Sequence, residues 1–191
     1  MKLVSMFKIA AAASLVFGAV SGANAVGSNT AKVTFTGNLV ESPCSITRET
    51  ADQSVDLGRS IGNGTLAGGR ESEKVPFTIS LYGCVFTTEK DMNVVFAPGD
   101  NTTAASGVAD NLAVMSTNGT GAISNVSLAL SDVNGAAIKL GQTYTQPLVM
   151  DGSVGKATQD LNFKAWLVGA STGTVGIGEF SSVANVTISY L

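Results

Sequence analysis

The sequence predicts an all-β sandwich, and three observations carry that expectation. Apolar residues recur with period two in one segment after another, and far less with the 3.6-residue period of a helix. Strong turn dipeptides separate these segments. Only 13% of the 191 residues are charged, against about 25% in ordinary soluble domains, so serine, threonine, asparagine and glycine must make the surface polar.

The alternating segments follow in order along the chain. Ala31, Val33, Phe35, Gly37 and Leu39 alternate with Lys32, Thr34, Thr36 and Asn38. Val75, Phe77, Ile79 and Leu81 alternate with Pro76, Thr78, Ser80 and Tyr82. Val126, Leu128 and Leu130 alternate with Ser127, Ala129 and Ser131, and Leu161, Phe163 and Ala165 alternate with Asn162, Lys164 and Trp166. Ala184, Val186, Ile188 and Tyr190 complete the series. Each reads as a strand with one buried face. Shorter β-rich runs lie at 54–57, 92–97, 112–115 and 144–149. Pro98-Gly99, Asn118-Gly119, Asn134-Gly135 and Asp151-Gly152 mark turns, with Asn134-Gly135 the best hairpin candidate. Residues 62–69 read as a mobile loop, 98–110 as another exposed one, and Trp166 as a core residue rather than a sugar platform. Helix should be minor.

The first 25 residues are set apart. Lys2 and Lys8 precede an apolar run of about twelve residues, and Ala23-Asn24-Ala25 follows as a small-x-small cleavage site, which is the pattern of a secretory signal. The run is too short for a bilayer anchor, which needs about 20 residues. Cleavage would leave 166 residues with 9 basic and 14 acidic side chains. In an exported chain the even cysteine count points to a Cys44–Cys84 bridge. Closing a loop of that length removes unfolded-state entropy worth about 4 kcal/mol in the chain-entropy picture.

Composition also excludes function classes. A net charge of −3 and a pI near 4.8 argue against nucleic-acid binding, which needs a basic stripe. With no histidine there is no Ser-His-Asp triad, Cys-His pair or histidine-based metal site. Asp91, Asp100 and Asp110 lack a cation-loop spacing, and Glu71 and Glu73 read as solvated acids. No enzyme, cofactor, metal or small-molecule substrate is expected. The segments 31–39 and 184–190 lie close to the two ends of the exported part of the chain. A terminal alternating segment is ordinarily a first strand within its own domain, but bare apolar edges also pair with other chains.

Several features then occur in a fixed order. They are the leader, the short alternating segment Lys32-Val33-Thr34-Phe35-Thr36-Gly37, Cys44 within Ser42-Pro43-Cys44-Ser45-Ile46, and Cys84 forty residues on. A central stretch containing Asp132-Val133-Asn134-Gly135 follows, then Gly178 fourteenth from the last residue, and a penultimate Tyr190. As a set these resemble the chaperone–usher fimbrial subunits, specifically the major pilins of type 1-like fimbriae.

The resemblance implies an incomplete immunoglobulin-like β-sandwich lacking its last strand. It divides the chain into a signal peptide (1–25), an N-terminal donor-strand extension (26–40) and a pilin domain (41–191). Ala31, Val33, Phe35, Gly37 and Leu39 would be the donor positions. Gly178, Phe180, Ala184, Val186, Ile188 and Tyr190 would form the acceptor groove and chaperone contact, with residues 180–190 along one side of it. The implied partners are other pilin subunits in a head-to-tail filament, a periplasmic chaperone and an outer-membrane usher, and the implied destination is the bacterial cell surface. On chemistry alone Tyr190 could equally be an ordinary edge tyrosine, and Gly178 a plain loop glycine. Within the same family, a minor adaptor or a tip subunit with a binding role is the alternative to the shaft.

Overall fold

The alternating segments become strands wherever a neighbouring segment supplies backbone partners. The structure is a computed structural model that describes residues 31–37, 39, 42–119 and 121–191. The expected leader at 1–25 lies outside the described residues, as do residues 26–30, 38, 40 and 41 of the expected extension and its border. The chain divides into two units, 1–39 and 40–191.

In the first unit the described residues form neither strand nor helix, and the apolar members of the alternation face solvent. Val33 is 68% exposed, Phe35 90% and Leu39 100%.

The second unit contains strands β1 (Ser45–Ile46), β2 (Val75–Tyr82), β3 (Asp91–Pro98), β4 (Ala104–Ala105), β5 (Val108–Ser116), β6 (Ala122–Asp132), β7 (Ala137–Ile138), β8 (Thr143–Pro147), β9 (Met150–Asp151), β10 (Val154–Gly155), β11 (Gln159–Gly169), β12 (Phe180–Ser181) and β13 (Ala184–Tyr190). Two four-residue helices, α1 (Arg48–Ala51) and α2 (Asn63–Leu66), precede β2. The large sheet runs β1-β2-β11-β6-β5-β12, with β4 joined to β5 and β7 to β6. The small sheet runs β13-β3-β8, and β9-β10 is a separate hairpin. All pairings are antiparallel.

Both sheets contribute to one core. Leu81, Leu112, Leu161 and Phe163 from the large sheet and Met92, Val94 and Phe96 from the small sheet are almost fully buried. The Phe96 and Phe163 rings meet edge to face at 5.0 Å, a favoured aromatic geometry, and so join the layers. The outward face carries cross-strand side-chain hydrogen bonds made by hydroxyls, an amide and one carboxylate. Thr78 donates to Asn162 Oδ1 (2.8 Å) and Ser80 to Asp160 Oδ1 (2.7 Å), each between residues directly opposite on β2 and β11. The expected disulfide is formed and ties Cys44, beside β1, to Cys84, just past the end of β2.

The Asn134-Gly135 turn is a hairpin joining β6 to β7. Gly135 takes φ +94° there, a conformation that side chains disfavour. Buried Asp132 secures the turn. Its Oδ1 accepts the Ala136 N–H at 2.7 Å, and its Oδ2 accepts the Tyr144 hydroxyl at 3.2 Å. Desolvation pushes this carboxyl up, but those hydrogen bonds outweigh it and hold its pKa below the ordinary 3.8.

Two expectations need correction. Residues 54–57 are not a strand, because no backbone lies alongside to pair with them, although Val55 and Leu57 are half-buried and their neighbours exposed. The segment 62–69 contains α2 instead of being a free loop. Leu66 is buried at 3% exposure, and Asn63 Nδ2 donates to Val175 O at 3.2 Å. A Cβ on Gly169 would collide with the Leu66 carbonyl, so β11 can approach α2 only through glycine. Trp166 is buried as expected, on the side of β11 opposite in phase to Phe163, under the Lys74 ammonium at 4.2 Å from its ring. Residues 180–190 are two strands on different sheets. β12 pairs with β5 and β13 with β3, and the chain changes sheet at Ser182-Val183.

Because the folded Asp132 pKa is depressed, its contribution to stability is present above the unfolded pKa and is lost as pH falls through the folded value. Asp132→Asn should therefore lower the thermal midpoint at pH 7. The gap from wild type should narrow at pH 3, as measured by circular-dichroism melts of the two proteins at both pH values.

Candidate functional site

The sheet register shows an anomaly at β13. Tyr190 stands opposite Met92, Ile188 opposite Val94 and Val186 opposite Phe96, all on the core side. Side chains adjacent on one face of one sheet should be covered alike. Met92, Val94 and Phe96 are 0%, 0% and 1% exposed, whereas Ala184, Val186, Ile188 and Tyr190 are only half-buried. Among the described residues nothing pairs with the far edge of β13. The inner face of the last strand is therefore open along its flank.

A second length of backbone lacks ladder partners. Between α1 and α2 the chain makes no strand pairing, yet Leu57 and Ile61 are half-buried against the same core cluster as β13. Ile61 also lines a cavity of about 90 Å³ together with Leu66, Val175, Gly178 and Phe180. The structure thus places Ala184, Val186, Ile188 and Tyr190 in one row on β13. It puts Gly178 and Phe180 at a cavity shared with Ile61. Gly178 takes φ +150°, and a Cβ there would still find only Ile123, at 3.8 Å.

The strip is apolar and ends in a polar tip. Tyr190 is its only ionisable side chain, and desolvation raises its pKa against the lowering effect of a hydrogen bond with Ser42. The strand is fixed to its last residue, since the Lys90 and Asp91 N–H groups donate to Leu191 O and the Leu191 N–H donates to Asp91 O. No cluster of metal-ligating residues occurs among the described residues. What an open strand edge with a row of apolar side chains can do is accept another strand. Backbone pairing then supplies affinity, and alternate side chains supply register.

The expected donor positions Ala31, Val33, Phe35, Gly37 and Leu39 belong to the other unit and are all exposed. Leu57, Ile61, Leu66 and Val175 were not expected at the site. Their segments carry no sustained alternation; the unpaired backbone at 53–62 reveals Leu57 and Ile61, and the cavity reveals Leu66 and Val175.

Comparison with known proteins gives one consistent set of relatives. The family model described as "Fimbrial protein" matches residues 33–191. The Fimbria A protein of Serratia marcescens is 35% identical over 96% of this chain and 97% of its own. An uncharacterized fimbrial-like protein of Escherichia coli K12 is 36% identical over the same shares. The Major MR/P fimbria protein of Proteus mirabilis is 31% identical over 83% of this chain and 82% of its own. Among solved structures, a chain of a chaperone–usher pilus aligns with a TM-score of 0.67 at 22% identity, covering 87% of this chain and 98% of that one. The P pilus rod subunit PapA aligns at 0.61 and 21%, covering 78% and 100%. The structural neighbours share the pilin immunoglobulin-like fold.

The half-open row sets a contrast that mutation can read. Val94→Ala should cost about 2 kcal/mol, as for other large-to-small core changes, while Ile188→Ala directly across on β13 should cost less than half of that in the unassembled chain. Urea unfolding of the two variants measures the difference.

Proposed function

The chain belongs to the fimbrial protein family of chaperone–usher pili, and on that premise we propose that it is a shaft subunit that polymerises by donor-strand exchange. A member of this family is a structural component of a cell-surface fimbrium, reached through the periplasm, and is not an enzyme. The observation that carries the proposal is the unequal burial of two paired strands, complete on β3 and half on β13. The proposed occupant is the 26–40 segment of the next subunit. Its Val33, Phe35 and Leu39 would leave solvent for the strip. Burying each is worth about 1.5–3 kcal/mol before ordering costs. Gly37 would let the two backbones approach closely.

Each subunit would then offer a donor and an acceptor at different places. Such a contact is heterologous and does not close on itself, so it grows a fibre. Before assembly a periplasmic chaperone would occupy the strip, and an outer-membrane usher would direct the replacement. Similarity to the Major MR/P fimbria protein supports the shaft over a minor adaptor role.

Two measurements test this. The chain without residues 26–40 should gain thermal stability when a synthetic peptide of that segment is added, and a monomer unaffected by the peptide would sink the proposal. Phe35→Arg should abolish fibres while leaving the subunit able to bind the chaperone, as seen by electron microscopy and co-purification. Normal fibres from cells making only this variant would count against it.

A further inference from the structure

The open strip ends at Tyr190, and the ring behind that residue has no part in the reading above. Phe86 lies between β2 and β3, buried at 8% exposure, with its ring centroid 6.0 Å from that of Tyr190 and the planes inclined by 50°. It is held from several directions. A Cβ on Gly155, in the β9–β10 hairpin, would collide with the Phe86 ring, so the hairpin backbone lies directly against it. Before it, Cys84 is bonded to Cys44, and the Val85 N–H donates to Pro43 O at 2.9 Å. After it, the Glu89 carboxylate accepts the N–H groups of Thr87 at 2.7 Å and Thr88 at 2.9 Å. Phe86 therefore has nowhere to retreat, and the half-buried Tyr190 ring packs against it.

We infer that Phe86, wedged by Gly155, is a positioning residue that fixes the Tyr190 end of the acceptor strip and so sets how long an inserted strand stays. The inference rests on the strand-acceptor reading. An unsupported tyrosine ring would have to be ordered each time a strand docks, and that cost weakens the bound state. A ring already held in place spares the cost, and among variants of one interface such differences emerge mainly in the rate of release.

The test uses the full chain and a fluorescent peptide of residues 26–40, with release followed after dilution into unlabelled peptide. Phe86→Leu should speed release about tenfold, the upper range for loss of an aromatic pair. In a Tyr190→Leu background the same change should add little, because its effect passes through that ring. A merely structural role would speed release equally in both backgrounds, and that result, or unchanged release, overturns the inference. Gly155→Ala removes no core side chain and should act in the same direction with the same dependence on Tyr190. It decides by the same criterion if Phe86→Leu is recovered only unfolded. If the wild-type chain takes up no peptide, the strand-acceptor reading fails and this inference falls with it. If wild type takes up peptide and the cycle is additive, this inference alone fails.

Discussion

Among the described residues of the second unit nothing pairs with the outer edge of the last strand, and its inner row stays only half-buried, a constraint on which much of the structure depends. In a two-layer sandwich each edge strand needs cover on its core side and a partner or a polar flank on its outer side. β13 has β3 on one side and nothing on the other among the described residues. Its alternation is nevertheless that of a core strand, with Val186, Ile188 and Tyr190 facing in. A sequence that keeps such residues at an open edge trades stability of the single chain for affinity toward a partner, because the apolar area left uncovered is the area a partner can bury.

An unfilled apolar strip would be expected to close on itself by side-chain collapse. Here its surroundings hold it in shape. β3 is packed through Phe96 onto Phe163 of the opposite sheet, and Phe163 also touches Phe77 and Tyr144. The last residue is pinned by three backbone hydrogen bonds to the start of β3. At the other end, Leu66 and Val175 wall the small cavity beside Phe180. The disulfide keeps Pro43 beside Val85, so the point where the chain enters the domain is fixed relative to the β2–β3 connection. A strip preorganised in this way can take up a strand without rebuilding its floor.

The strands were readable because alternation and burial coincide in them. The bounds of β2 and β13 match the alternating runs at 75–82 and 184–190, and the Asn134-Gly135 hairpin is where its chemistry places it. What was not readable depends on partners distant in sequence. Residues 54–57 have a strand-like pattern but form no strand, because no described segment supplies a ladder partner. α2 exists because Gly169, a hundred positions later, leaves room for Leu66. The change of sheet at Ser182-Val183 leaves no mark on the apolar pattern, because Phe180 and Val186 keep the same phase on either side of it. Phe86 stands alone after a cysteine, with no periodicity to mark it, and only its contact with Tyr190 gives it meaning.

The two edges of the small sheet explain why such an edge need not lead to disordered aggregation. β8, at the far side, is five residues of Thr-Tyr-Thr-Gln-Pro, and its core-side positions are Tyr144 and Gln146. It is short, polar and closed by proline, which cannot donate to a ladder, so it offers an incoming strand little. The edge strands of the large sheet, β1 and β12, have only two residues each. β13 has seven residues and an apolar inner row. Among the described residues only the β13 edge is thus both long and apolar, and the charge-poor outer face is already occupied by hydrogen bonds such as Thr78–Asn162 and Ser80–Asp160. If strand addition uses this edge as proposed, the alternation of its inner row leaves it one productive register. In the proposed filament, the same unpaired backbone that would be a hazard in a self-sufficient sandwich would serve as a directional joint.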